Sequence, residues 1–312
     1  MNTMLIVPLH KNLRINDTEY IEDFTFQSGN IVPIFDVLSM HGLNQIIGHA
    51  KFNNKDYANV YYRGECKLHD SLIPSLFRGC IRTSKSRELH SLIERIRHDD
   101  GMKKIVKLEG VSKSRTIDTA KVEGMLQHYG IKTRYVDLVD NHWVALWMGN
   151  NSHSSIKRLQ SYCHYYRREI PLIDIAEKKD VNLSSFFQYI LLLAIPFSNQ
   201  PEIDGVKVSD NFIEVDLRKS LPSVFLRPHA QHGIVVRKKV ATECFASDYD
   251  ISSQVIGILR IRIDRVSEWL GNGELLSQAN LFPPPSSDYG YDILLSRPDL
   301  FLDKNNQIAK YL

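Results

Sequence analysis

The amino-acid sequence predicts an α+β fold, and three observations carry that expectation. Helix signals and strand signals lie side by side: Leu89, Leu92, Ile93 and Ile96 fall at helical spacing, while Ile131–Val139, Phe212–Leu217 and Val255–Ile263 are short, apolar and β-branched. The longest apolar run, Tyr189–Phe197, is half the length a membrane span needs and contains Pro196, so it reads as a buried strand or helix. A chain of 312 residues with 43% hydrophobic and 24% charged residues can bury one large core or two smaller ones.

The same composition narrows function. A net charge of +3 does not demand a nucleic-acid partner, so any such role rests on a local patch. The cysteines at 66, 80, 163 and 244 show no CxxC spacing and no His pattern beside them. That argues against a zinc site or disulfide scaffold and for a reducing, cytoplasmic setting. The segment from Met1 to His10 has too short an apolar run for a signal peptide.

In chain order, residues 1–50 hold the apolar stretches Met4–Leu9 and Ile31–Val37 around the turn-prone Asn16–Asp23. They read as an extension packed on a main domain spanning 51–312. The aromatic strand beginning at Asn59 runs into Arg63 and Gly64, where glycine permits close backbone approach of a ligand. After a turn at Leu72–Arg78 and a basic loop from Arg82 to Arg87, Ser86 can cap the helix with the leucine–isoleucine stripe. Residues 101–115, with five basic groups against Glu109, read as a surface loop.

The organising stretch is Leu126–Trp147. Gly130 is placed to stop a helix carrying Val122, Met125, Leu126 and Tyr129. The expected strand Ile131–Val139 would alternate Thr133, Tyr135 and Asp137 with Arg134, Val136 and Leu138. Asn141 can cap the next helix. Downstream, Asn151–Ile170 interleaves Lys157, Arg158, Tyr162, His164, Tyr165, Tyr166, Arg167 and Arg168. It reads either as a nucleic-acid surface or as a solvated helix whose tyrosines cover the core. A polar loop from Leu226 feeds a strand with Gln231 and Gly233 at its start, and Asn280–Gly290 reads as a rigid surface turn.

Three landmarks stand in order: Tyr62-Arg63-Gly64, the run Gln127-His128-Tyr129-Gly130 with Thr133, Arg134 and Asp137, and Arg227-Pro228 with Ala230, Gln231 and Gly233. Together with Leu281-Phe282-Pro283 and Gly290, over roughly residues 55–295, they resemble the FRG domain family. A weaker resemblance links the pattern to ADP-ribosyltransferases, and it implies a split-sheet cleft flanked by helices that grips NAD. On that resemblance Arg63 matches the first site position, Thr133 or Asp137 the second, and Gln231 the third.

The resemblance further implies that Tyr62, Arg63, Gly64, Gln127, His128, Tyr129 and Thr133 bind NAD, and that Arg227, His229 and His232 meet the substrate. No metal is needed, because breaking a nicotinamide–ribose bond requires the sugar held and the leaving group oriented. An amide at 231 cannot take a proton, so a base role would fall to Asp137. Bacterial proteins of this type are similar to toxins of phage-defence toxin–antitoxin systems. The expectation is therefore a metal-independent ADP-ribosyltransferase toxin acting on RNA in preference to protein, neutralised by an antitoxin protein and without a membrane. The alternative is a non-catalytic module that senses a nucleotide or nucleic acid in the same cleft.

Overall fold

A computed structural model describes residues 6–83, 86–109, 115–158, 160–170, 183–198, 200–240, 245–302 and 307–311. In order these form β1 (Thr18–Thr25), β2 (Ile31–Val37), α1 (Met40–Asn54), β3 (Ala58–Glu65), α2 (Ser86–His98), α3 (Asp100–Val106), α4 (Arg115–His128), β4 (Val136–Val139), α5 (His142–Asn150), β5 (Asn151–Arg158) and β6 (Gln160–Arg167). The second half adds β7 (Phe187–Pro196), β8 (Val206–Val208), β9 (Phe212–Asp216), α6 (Leu217–Ser220), α7 (Leu226–Ala230), β10 (Gly233–Lys238), β11 (Val255–Arg262), α8 (Ile263–Trp269), α9 (Gln278–Leu281), α10 (Tyr289–Leu295) and β12 (Lys310–Tyr311).

Helices and a large mixed sheet make the α+β class. Nine strands run in the order β1-β2-β11-β7-β3-β4-β10-β9-β8, and β12-β6-β5 form a second, three-stranded sheet. Every neighbour pair in the large sheet is antiparallel except β11 with β2. β2 lies inside this sheet and α1 packs beside β3, so residues 18–54 share the core of the rest. β7 is central and buried along eight consecutive residues, which explains its unbroken apolar run.

The sheet is weakest between β3 and β4. They share a single paired position, Tyr62 with Val139, whereas β3 pairs with β7 over eight. Beyond Tyr62 the two strands part, and the Arg63 side chain bridges the gap by donating from Nη1 to the Asp137 carbonyl at 2.7 Å. This parting of strands positions the candidate site.

Several expectations need correction. The strand after Gly130 starts at Val136, five residues later than expected. Side chains satisfy the intervening backbone: Arg134 N donates to Glu123 Oε1 at 3.0 Å and Tyr135 N to Thr133 Oγ1 at 3.1 Å, which leaves no ladder to form. Residues 100–106 are a helix, capped by Asp99 accepting from Met102 N and anchored by buried Met102 and Val106. Residues 110–114 of that expected loop, and 84–85 of the basic loop, lie outside the described residues.

Asn151–Arg167 is an antiparallel hairpin rather than a helix, with Tyr165 turned inward and His164 and Tyr166 exposed. The segment at 280–290 is interior at its two ends and exposed between: Leu281, Phe282, Pro283, Asp288 and Gly290 are buried, while Pro284, Ser286 and Ser287 are exposed. The stop at Gly130, with φ +93°, and the Asn141 cap on Trp143 N at 2.9 Å match expectation.

Candidate functional site

β3 delivers Arg63 to the gap in the sheet. Its Nε donates to Glu65 Oε1 at 2.5 Å, two residues along the same strand face. Burial disfavours its charge, but Glu65 and then Asp137 more than offset that, so its pKa stands above the ordinary arginine value. The glycine beside it serves packing. A Cβ on Gly64 would lie 1.9 Å from the Ala145 carbonyl oxygen and 2.8 Å from Gly149 N, so β3 presses its backbone directly on α5.

The last turn of α4 supplies Gln127 and His128. Gln127 is clamped on both ends of its amide: Oε1 accepts from Thr133 Oγ1, and Nε2 donates to Asp137 Oδ2, both at 2.5 Å. Thr133 itself is fully buried. The chain Thr133–Gln127–Asp137 therefore fixes a carboxylate whose side chain is 45% exposed.

The His128 side chain is only 4% exposed, its Nε2 lies 3.9 Å from Asp137 Oδ1, and its Nδ1 has no partner among the described residues. Burial, the largest influence, brings its pKa down to about 4 despite the pull of Asp137, with Arg227 adding to the lowering. The imidazole is neutral at pH 7. It lies flat against β10: a Cβ on Gly233 would sit 2.3 Å from His128 Cε1.

α7 ends at Gln231, whose Nε2 donates to the Leu281 carbonyl at 2.7 Å. Four residues back in the chain, Arg227 is wholly buried in a box of rings, its guanidinium carbon 4.3–4.6 Å from the centroids of Tyr311, Tyr291 and Tyr129. Its Nη1 donates to the His128 carbonyl at 3.1 Å. Asp288, also wholly buried, ties this box together: Oδ2 accepts from Tyr129 OH at 2.7 Å and Arg227 N at 3.0 Å, and Oδ1 accepts from Tyr291 N.

These elements enclose a cavity of about 690 Å³. Of the residues expected at the site, Tyr62, Arg63, Gly64, Gln127, His128, Asp137 and Gln231 line it. Tyr129, Thr133, Arg227, His229 and His232 do not. Tyr129 and Arg227 form the buried box behind one wall, and Thr133 is the strut under Gln127. His232 instead meets Asp140 Oδ1 and Arg218 Nη1, each at 3.1 Å, at the far end of β4.

The structure brings further residues to the cavity. Glu65, Lys67, Arg78 and Arg168 bring charge to the walls. Tyr165, Phe282 and Tyr311 form an aromatic wall, with Tyr165 stacked on Phe282 at 4.6 Å and Phe282 tilted against Tyr311 at 4.7 Å. Phe282 sits in a noted motif. Tyr165 belongs to the basic aromatic segment read above as a nucleic-acid surface or a solvated helix, and Tyr311 carried no sequence signal; hairpin pairing of β5 with β6 and addition of β12 bring the two in.

Across the walls, four cationic side chains (Arg63, Lys67, Arg78 and Arg168) face the carboxylates of Glu65 and Asp137. Among the described residues no group of three or more His, Cys, Asp or Glu could hold a metal ion, and no helix is long and apolar enough to cross a membrane.

Residues 58–158 match the FRG domain. The match runs from β3 through β5, so it contains Arg63 and the whole 127–137 unit and ends before α7 and Gln231. No curated protein and no solved structure matches the chain.

Proposed function

We propose that the cavity binds NAD and that the protein is a metal-independent ADP-ribosyltransferase, with RNA favoured over protein as acceptor. One observation carries this reading: Arg63, the Gln127–Asp137 unit and Gln231, up to 168 positions apart in the chain, line one concavity of about 690 Å³. That volume suits a dinucleotide-sized ligand. The surplus of cations suits its diphosphate, and the Tyr165–Phe282–Tyr311 wall offers faces for a planar ring. Tyr62 and His128 are among the lining residues, and Tyr62 OH and His128 Nδ1 are buried with no partner among the described residues.

NAD would supply a glycosidic bond whose scission leaves positive charge on the ribose. Residues of this chain would hold and orient around it. His128, neutral, would bind a hydroxyl. Asp137, held by Gln127, is the exposed carboxylate placed to stabilise the developing charge or accept the acceptor's proton. Gln231 would orient through its amide without taking a proton.

RNA preference leans on the β5–β6 hairpin, where His153, Tyr165, Tyr166 and Arg168 line the cavity. Lys157, Arg158 and Tyr162 lie among side chains that are not described. In the basic run 237–239, Arg237 sits 5.5 Å from the Tyr135 ring, which leaves Lys238 and Lys239 to add to a basic patch. A toxin role with a neutralising antitoxin belongs to the same proposal, as does a cytoplasmic setting.

The test is nicotinamide release from NAD by the pure protein, with Arg63→Ala and Gln231→Ala as controls and RNA or protein as acceptor. Turnover that neither substitution changes would overturn the assignment. A second reading, a non-catalytic nucleotide sensor, is favoured by one feature: the Gln231 amide stands where a catalytic carboxylate would be useful and is tied to the Leu281 carbonyl. Nucleotide binding without nicotinamide release under any acceptor would select it.

A further inference from the structure

Arg63 is poorly free to take a ligand's diphosphate. Its Nε is committed to Glu65 at 2.5 Å and its Nη1 to the Asp137 carbonyl at 2.7 Å, so its charge is already neutralised and its planar fork is partly used. The same cavity presents a second guanidinium in the opposite condition. Arg78 lines the cavity and is exposed, it forms no ion pair among the described residues, and its one hydrogen bond there is a long one from Nε to the Ile73 carbonyl at 3.4 Å.

The turn that carries Arg78 is not loose. Leu72 N donates to Asp250 Oδ1 at 2.8 Å, Leu76 N donates to the Thr133 carbonyl at 3.3 Å, and Phe77 is fully buried against Tyr249. The turn therefore docks on the loop between α4 and β4, and presents Arg78 from a fixed base. Lys67 lines the cavity from the end of β3, also with no ion pair among the described residues.

We propose that Arg78, with Lys67 lining the same cavity, is the diphosphate-binding group, and that Arg63 is a positioning residue that bridges β3 to β4. This deepens the nucleotide reading above and rests on it. Desolvation first, and then the charge of Arg63, lower the pKa of Arg78, while Glu65 and Asp137 act to raise it. A phosphate anion would relieve both lowering influences, and charge-assisted bidentate hydrogen bonds are the strong ones.

Calorimetry with ADP and with adenosine separates diphosphate recognition from base and ribose recognition. The wild-type protein should bind ADP more tightly than adenosine. Arg78→Ala should weaken ADP by about ten-fold or more and leave adenosine unchanged, and Arg78→Lys should fall between. The difference between wild type and Arg78→Ala should shrink as salt is raised. Thermal unfolding of both variants should match wild type, because Arg78 makes one long hydrogen bond.

Equal ADP affinity in wild type and Arg78→Ala, parallel losses for ADP and adenosine, or no ADP binding by the wild type would each overturn the proposal. ADP binding through Arg78 without any NAD turnover would leave it standing and remove the transferase reading alone. Normal NAD turnover with an unchanged KM in Arg78→Ala would do the reverse.

Discussion

The contact between His128 and Gly233 allows a sharp test of how the cavity is built. Gly233→Ala adds one methyl group whose carbon would lie 2.3 Å from His128 Cε1 and 2.5 Å from Nε2. The ring cannot easily retreat, since the side chain is 4% exposed and rides on the last turn of α4. Overpacking of this kind costs typically about 1–3 kcal/mol. With an unfolding entropy of about 2.1 cal/mol/K per residue, a 312-residue chain loses about 1.5–4.5 °C in Tm for that cost. Removing the ring by His128→Ala should abolish the penalty, so a double-mutant cycle followed by thermal unfolding should return a coupling of about 1–3 kcal/mol. A Gly233→Ala protein as stable as wild type, or one that costs the same with and without the imidazole, would refute the packing argument.

Other outcomes follow from the same geometry. His128 should make stability pH-dependent: its folded pKa of about 4 lies below the ordinary 6.5, so the unfolded chain binds the proton first and stability falls as pH drops from about 6.5 towards 4, by up to about 3 kcal/mol. Comparing wild type with His128→Asn at pH 7 and pH 5 checks this, and an equal pH response in both would exclude it. Asp288→Ala removes the cap of α10 and strands the Tyr129 hydroxyl, so it should cost about 2–4 kcal/mol in denaturant unfolding, and a loss under about 1 kcal/mol would contradict the box described. Arg63→Lys should lower NAD turnover by at least about ten-fold, because an ammonium cannot serve both Glu65 and the Asp137 carbonyl at their present distances; unchanged turnover would argue against the bridging role.

What could be read from residues alone was local. The Leu89–Ile96 stripe, the Gly130 stop and the Asn141 cap depend on neighbours within one or two turns, and each is found. Three separated motifs were also legible as parts of one cavity, since seven of the expected residues line it. Where tertiary pairing decides, the pattern was mute. The Asn151–Arg167 hairpin carries interleaved polar and aromatic residues that suit a helix face as well as a strand. The Thr133 and Arg134 segment looks β-branched and charged like an edge strand, yet Glu123, eleven residues upstream, takes its backbone donor. Gly64 invited a ligand-approach reading, but the neighbour that needs the space is the backbone of α5. Tyr129 and Arg227 looked like ligand contacts because their chemistry is equally good at holding each other.

Tyr311 gives the architecture an order in time. Its ring closes the wall shared with Phe282 and caps Arg227, yet eighty positions separate it from Gln231. A ribosome that has already made the arginine at 63, the imidazole at 128 and the amide at 231 has still made only an open trough. Any partner that traps the growing polypeptide before β12 docks would therefore meet a chain whose ligand chamber lacks a side.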